Sequence, residues 1–269
     1  MSAVLSTATV TTVGLVCKAV LNSPFCSLKV NGLPTLIRAL EDDRRSMGQG
    51  VVTVSNHIST LDDPVTWGVL PASYYLNSRT TRWALGASDI MFTNPVFSTF
   101  FRLGQTLETF RGKGIHQPAV DTAIKKLDQG HWVHLYGEGK VNQPSTYQKD
   151  GNGIPYLPRF KWGVGRIVME CAIPPVVIPM WLTGFEDLMP EGRSFPYKYL
   201  PRPGAQLSVT FGEPLPLDGI RKAFGTLDKD QKSNPPSSES VDKIARVRAD
   251  VTTIIQRAVQ SLGRSVTGV

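Results

Sequence analysis

His57 and Asp62, five positions apart in Ser55-Asn56-His57-Ile58-Ser59-Thr60-Leu61-Asp62-Asp63-Pro64, are the pair in this sequence best suited to move a proton. Imidazole titrates near neutrality, so it can take a proton from a hydroxyl and return it. A carboxylate on the far ring nitrogen fixes the tautomer and stabilises the imidazolium. Such a pair suits chemistry on an alcohol or an ester. Ser59 and Thr60 read as turn or capping residues, with a serine nucleophile as the alternative reading. A second constellation lies at Gly137-Glu138-Gly139-Lys140. Glycines on both sides of Glu138 let the backbone approach a ligand closely. Successive N–H groups there can hold a phosphate or an oxyanion, with Lys140 as counter-charge; a plain tight turn is the alternative. Arg111-Gly112-Lys113-Gly114 supplies another basic, glycine-flanked turn, or else a solvated loop.

Those side chains need elements to hold them. Residues five apart do not share a face of a continuous helix, so a His57–Asp62 contact demands a bend between them. Val51–Ser55 reads as a short buried strand. Asp63-Pro64 reads as an N-cap followed by proline at the first helical position. His57 then sits at a strand-to-helix turn, where α/β sheets place ligand sites. Further along, strands are expected near 83–87, 106–110, 131–136, 175–182 and 206–211. Helices are expected near 33–45, 95–102, 120–127 and 162–171, with a Gly- and Pro-rich loop over 142–158. The alternation predicts an α/β fold with a central mixed, largely parallel sheet flanked by helices. The expected organisation is an N-terminal membrane-associating segment and helix (1–45), a catalytic domain (46–225), a linker (226–240) and a C-terminal amphipathic helix (241–269).

With 269 residues and 41% hydrophobic side chains, the chain can bury a substantial core. A net charge of +7 favours anionic lipid or phosphorylated substrates. No basic run interleaved with aromatics points to nucleic acid. Three cysteines without Cys-x-x-Cys spacing argue against a disulfide framework or a zinc site. His131 and His134 fall on opposite faces of a strand, so no metal site is expected. Met1 to Cys17 carries no charge but is interrupted by serines and threonines. That pattern is short and polar for a spanning helix. It predicts an in-plane or partly inserted segment, with Lys18, Lys29 and Arg38 facing anionic headgroups. The apolar stretch 173–182 is a second candidate for membrane contact, although its β-branched content favours a buried strand.

Taken in order, Asn56-His57 with Asp62, Arg111, Gly137-Glu138-Gly139-Lys140 and Ile178-Pro179 resemble the motif blocks of the glycerolipid (His-x4-Asp) acyltransferases. Asp62-Asp63-Pro64, Trp67-Gly68, Trp132-Val133-His134, Gly137 to Asn142 and Arg159 to Arg166 resemble the tafazzin branch of that superfamily. The likeness covers about Val51 to Pro216. Two blocks depart from the common pattern. Tyr136-Gly137-Glu138-Gly139-Lys140-Val141 stands where Phe-Pro-Glu-Gly-Thr-Arg is usual. The block ending at Arg111 is one residue longer than the usual Gly-x-x-Phe-Ile-x-Arg.

The resemblance implies a CoA-independent phospholipid–lysophospholipid transacylase that remodels cardiolipin, with monolysocardiolipin as acyl acceptor and no metal or cofactor. It implies a monotopic protein on mitochondrial membranes, facing the intermembrane space. His57 would act as general base, oriented by Asp62. Arg111, Gly137, Glu138, Gly139 and Lys140 would bind substrate, with Glu138 on a glycerol hydroxyl and Arg111 and Lys140 on headgroup phosphates. Backbone N–H groups near the His57 turn or Gly137 would meet the oxyanion. The competing readings are an acyl-CoA-dependent lysophospholipid acyltransferase, a lipase-like hydrolase and a non-catalytic anionic-membrane binding protein. The absence of Gly-x-Ser-x-Gly argues against the hydrolase.

Overall fold

The structure, a computed structural model, describes residues 3–216 and 238–268. In chain order it comprises α1 (Ala3–Leu21), β1 (Cys26–Asn31), α2 (Leu33–Glu41), β2 (Val51–Ser55), α3 (Asp62–Val65), β3 (Trp83–Ala87), α4 (Ser88–Met91) and α5 (Pro95–Leu103). There follow β4 (Thr106–Thr109), α6 (Pro118–Asp128), β5 (Trp132–Tyr136), β6 (Gln148–Lys149), β7 (Pro155–Tyr156), α7 (Gly163–Met169), β8 (Val176–Thr183), α8 (Phe185–Leu188), β9 (Ala205–Phe211) and α9 (Ser238–Thr267).

Seven strands form one sheet in the order β1-β9-β8-β2-β5-β3-β4, and only the β8–β9 pair is antiparallel. The mixed, largely parallel α/β sheet expected from the sequence is therefore present. All five residues of β2 are buried, as a central parallel strand covered on both faces must be. The strand period of two sends Val51, Trp132 and Ile178 into one core, with Cys17, Leu36, Trp67 and Tyr75 from the covering elements. Val52, Val54, Val133 and Leu135 enter the other core, against α6, α7 and α9. Arg166 of α7 ties that helix to α6, donating to Asp121, and also donates to Glu170 at the end of its own helix.

Four expectations change. First, Cys26–Asn31 adds an edge strand, paired in parallel with β9 from Cys26↔Ala205 to Asn31↔Thr210. Lys29 is thus on a strand of the sheet. Second, Lys18 does not face headgroups: its Nζ donates to the carbonyls of Gly68 and Leu70, at 3.3 and 2.9 Å. Third, the loop 142–158 contains the β6–β7 hairpin. Fourth, α9 begins at Ser238, inside the expected linker, whose residues 226–237 lie outside the described residues. The stretch 173–182 contributes β8, an interior strand, as its β-branched content favoured. The three- and four-residue spacing of the C-terminal helix buries Val251, Ile255 and Val259.

Candidate active site

β2 and β5 are parallel neighbours, with Ser55 opposite Tyr136. The segments leaving their C-terminal ends therefore run side by side, and this places 56–62 against 137–142. Two bonds lock them together. The His57 N–H donates to Glu138 Oε1 at 2.9 Å, and the Asn142 N–H donates to the His57 carbonyl at 2.7 Å.

The bend required by the five-residue spacing is built around Asp62. The Asp62 N–H donates to the Ser59 carbonyl, turning the chain back on itself. Asp62 Oδ2 then accepts from the Ile58 N–H at 2.7 Å and the Ser59 N–H at 2.9 Å, and lies 2.8 Å from His57 Nδ1. With two N–H groups and the ring converging on one oxygen, His57 Nδ1 is the protonated nitrogen and Nε2 carries the lone pair. Among the described residues nothing hydrogen-bonds Nε2. The Asp62 side chain is fully buried, whereas that of His57 is 19% exposed. Burial pushes the Asp62 carboxyl above the ordinary carboxylate range, opposed by the bonds from His57, Ser59 and Ile58. Ser59 Oγ accepts from the Leu61 N–H, so the serine is a turn residue, as read.

Asp63 does not cap the following helix. Its backbone is extended, with φ −108° and ψ 116°, as an N-cap before Pro64 would be, but its carboxylate is taken by Arg82 and the Trp67 indole N–H rather than by a helix N–H. Burial works to raise the Asp63 carboxyl, but the paired Arg82 carries it below the ordinary range. Adjacent acids thus serve different ends: Asp62 turns towards the histidine and Asp63 anchors the layer beneath.

The ring of Tyr136 stacks on His57, with centroids 4.0 Å apart and planes 22° apart. Behind it, edge-on to Tyr136 and Trp67, lies His134. Thr53 and Ser55 hydroxyls meet its two ring nitrogens, at 2.8 and 3.3 Å. Burial depresses His134 to about 3, so this histidine is a neutral supporting group. Asn56 is held by reciprocal 2.9 Å bonds with the Leu182 backbone. Those bonds continue the β2–β8 contact beyond Val54↔Pro179, the last paired position.

The expected binding residues divide into two groups. Gly137 to Lys140 lie beside His57. Glu138 is only 2% exposed, and its carboxylate is occupied by the His57 N–H and the Asn142 amide. Burial raises its carboxyl to about 7, and the His57 and Asn142 bonds oppose that rise. Gly137 is required by packing, since a Cβ there would fall 2.4 Å from the Phe160 ring. Gly139 takes φ +72°, the left-handed region suited to glycine. Lys140 is exposed at the mouth of the turn. Arg111 stands apart. It follows β4, three strands from β2, about 14 Å along the same sheet edge. There it reaches Asp89 at 3.3 Å in solvent.

Several of the backbone donors expected for an oxyanion already have acceptors within the protein. His57 N–H serves Glu138, Ile58 and Ser59 N–H serve Asp62, and Gly137 N–H serves the Ser55 carbonyl. Sequence reasoning missed Tyr136, Asn142 and Asn56 as parts of the site. Tyr136 was within reach, since it ends the strand expected before the Gly137 turn. Nothing in the spacing distinguishes Asn142 from an ordinary loop residue.

An imidazole whose far nitrogen is held by a buried carboxylate, at the C-terminal edge of a mainly parallel sheet, is the arrangement anticipated for acyl transfer to an alcohol. The acyltransferase family profile matches residues 31–183. The chain is 36% identical over 252 residues to tafazzin of Drosophila melanogaster, covering 92% of this chain and 61% of that protein. It is 34% identical over 220 residues to the Dictyostelium discoideum protein named taffazin, covering 80% and 71% of the two chains. An N-acylphosphatidylethanolamine synthase of Arabidopsis thaliana is 38% identical over 190 residues, covering 70% and 63%. The chain belongs to the acyltransferase family, in its tafazzin group. It spans about three fifths of the length of the fly and Arabidopsis relatives.

Proposed function

We propose that this acyltransferase is a phospholipid–lysophospholipid transacylase that works without CoA and remodels cardiolipin at a membrane surface, with His57 as base. One observation supports this reading above others: Asp62 holds His57 Nδ1 at 2.8 Å while Nε2 remains unbonded among the described residues. In the proposed cycle His57 Nε2 takes the proton of a free glycerol hydroxyl on the lysophospholipid. The oxygen attacks the ester carbonyl of the donor phospholipid and a tetrahedral intermediate forms. It collapses as His57 returns the proton to the departing glycerol oxygen. The acyl group has then moved from one glycerol to the other. Attacking and leaving groups are alcohols of similar basicity, so the exchange runs near thermoneutral in both directions. Asp62 stabilises the transient imidazolium and keeps the tautomer. Lys140, exposed beside the turn, supplies a cation for a headgroup phosphate. Glu138 acts through the backbone of His57, in place of the glycerol contact anticipated from the resemblance. On this reading the protein works on mitochondrial membranes, facing the intermembrane space, which its likeness to the tafazzins supports.

The test is mass spectrometry of acyl exchange between defined phospholipids and monolysocardiolipin, run with and without CoA. Exchange without CoA is expected, and His57→Ala should lower it by about 10³-fold or more. Strict dependence on acyl-CoA would overturn the transacylase reading. Retention of exchange by His57→Ala would overturn the mechanism. A second reading follows from the Arabidopsis relative, whose name denotes acyl transfer to an ethanolamine nitrogen. In the same assay it appears as an alkali-stable N-acyl product.

A further inference from the structure

α5 is a nine-residue helix with no buried residue, although its sequence is Pro-Val-Phe-Ser-Thr-Phe-Phe-Arg-Leu. Val96 is 75% exposed, Phe97 51% and Phe100 46%, and Ile90 of the preceding α4 is 59% exposed. Val96, Phe97 and Phe100 stand at three- and four-residue steps, so they form one apolar face. A helix with that face in water has no hydrophobic reason to fold there unless something apolar covers it.

α5 also touches α1. Ser6 Oγ donates to the Leu103 carbonyl at 2.8 Å, joining the start of α1 to the end of α5. Beside that bond Val4 is 75% and Leu5 56% exposed, and further along α1 Leu15 and Val16 are exposed too. Only 17% of the apolar window of α1 is buried. At 1.5 Å per residue its uncharged open stripe from Val4 to Val16 runs for about 18 Å, longer than one side-chain pocket. Charge lies around the aromatic cluster. Arg102 stacks on Phe92 and pairs with Glu108, Arg111 pairs with Asp89, and Lys113 is exposed on the adjoining turn. Extended apolar area flanked by cations, on a chain of net charge +7, matches an anionic bilayer surface.

We infer that α4 and α5 form a second membrane-inserting element, seating Ile90, Val96, Phe97 and Phe100 in the acyl–headgroup boundary beside α1. The inference rests on the membrane-surface reading proposed above, which assigned contact to the N-terminal segment. Its consequence is geometric. α4 leaves the C-terminal end of β3, on the same sheet edge as the His57 turn. The lipid face therefore starts on the edge where acyl exchange is proposed, and substrates enter from the bilayer.

The experiment uses the full chain carrying one polarity-sensitive fluorophore. All three native cysteines are buried, so an introduced cysteine is the site that labels. Val96→Cys, Leu5→Cys and, on the exposed face of α6, Lys125→Cys are each mixed with phosphatidylcholine vesicles containing cardiolipin. Blue-shifted, brighter emission is expected from the labels at 96 and 5, quenched by acyl-chain spin labels, with no change at 125. The double variant F97S/F100S is expected to weaken vesicle partitioning about tenfold, with thermal unfolding unaltered. If the label at 5 shifts and that at 96 stays in water, α1 alone binds membrane; the inference falls and the membrane reading stands. A shift at 96 in vesicle-free buffer as protein concentration rises would assign the face to a second copy, again overturning the inference. If neither label responds and the protein stays unbound, both fall.

Discussion

The C-terminal edge of the sheet is built in two different ways. At its centre, between β2 and β5, the chain around His57 is held by a dense set of bonds. Asp62 gathers two N–H groups and the imidazole, and Glu138 holds the His57 backbone from the other side. At its outer end, beyond β4, Arg111 meets Asp89 in solvent, with side chains 46% and 60% exposed. The flanking Gly112 and Gly114 touch nothing within 4 Å of where a Cβ would stand. An exposed pair of this kind contributes about 0–1 kcal/mol. Fixed geometry is concentrated where the proposed base would move a proton over a short distance. Adaptable charge is left where a large, variable headgroup would be met.

Substitutions can break that contrast and, after His57 itself, the largest effect is expected at Asp62. Asp62→Asn keeps the shape but loses the charge that supports the imidazolium. Acyl exchange should fall by about 10²–10⁴-fold, as for other base–orienter pairs; a fall of less than about tenfold would remove the centre's special status. Glu138→Gln probes the same region through pH. The folded carboxyl is raised from 4.5 to about 7 by burial, so the folded state holds its proton more tightly than the unfolded chain. Stability from this group is therefore full below about 4.5 and is lost as pH rises through about 7, by on the order of 3 kcal/mol at most. Denaturant melts at about pH 5 and about pH 8 should show that loss in the wild type and its absence in Glu138→Gln. Equal slopes would mean that Glu138 ionises normally.

A smaller effect is expected at Tyr136, whose hydroxyl is buried without a partner among the described residues. Tyr136→Phe removes that unsatisfied group and keeps the stack on His57. It should raise stability by about 1 kcal/mol and leave exchange within about twofold. A large loss of exchange would give the hydroxyl a role in the reaction. The smallest change belongs to the outer turn. Arg111→Ala should raise KM by about 2–5-fold, more at low salt than at high, with kcat nearly constant. A collapse of kcat would merge the two regions into one rigid site.

Much of the central region was legible because it depends on local pattern. Val51, Val52 and Val54 mark a short buried strand, and the five-residue spacing of His57 and Asp62 demands a bend that the structure contains. Asp63-Pro64 misled because the same two residues satisfy the capping rule. Whether Asp63 caps a helix or pairs with Arg82 depends on a residue nineteen positions away. β1 was lost for another reason. Cys26-Ser27-Leu28-Lys29-Val30-Asn31 alternates strictly, as a half-buried strand should, yet Lys29 fits the pattern of a surface cation equally well. Glu138 was found and its partner was not, because a backbone N–H leaves no mark in a sequence.

Gly68 follows the short helix that begins at Asp62, and α1 crosses directly over it. A Cβ at that position would lie 2.9 Å from the Cys17 carbonyl carbon and the Lys18 nitrogen. With the Lys18 ammonium also donating to the Gly68 and Leu70 carbonyls, the first helix is fastened, by close backbone approach and a side-chain clamp, to the segment that follows Asp62. α1 is thus no loose tether. On the proposed membrane-surface reading it would hold the imidazole at a set height above the bilayer, as a keel fixes the draught of a hull.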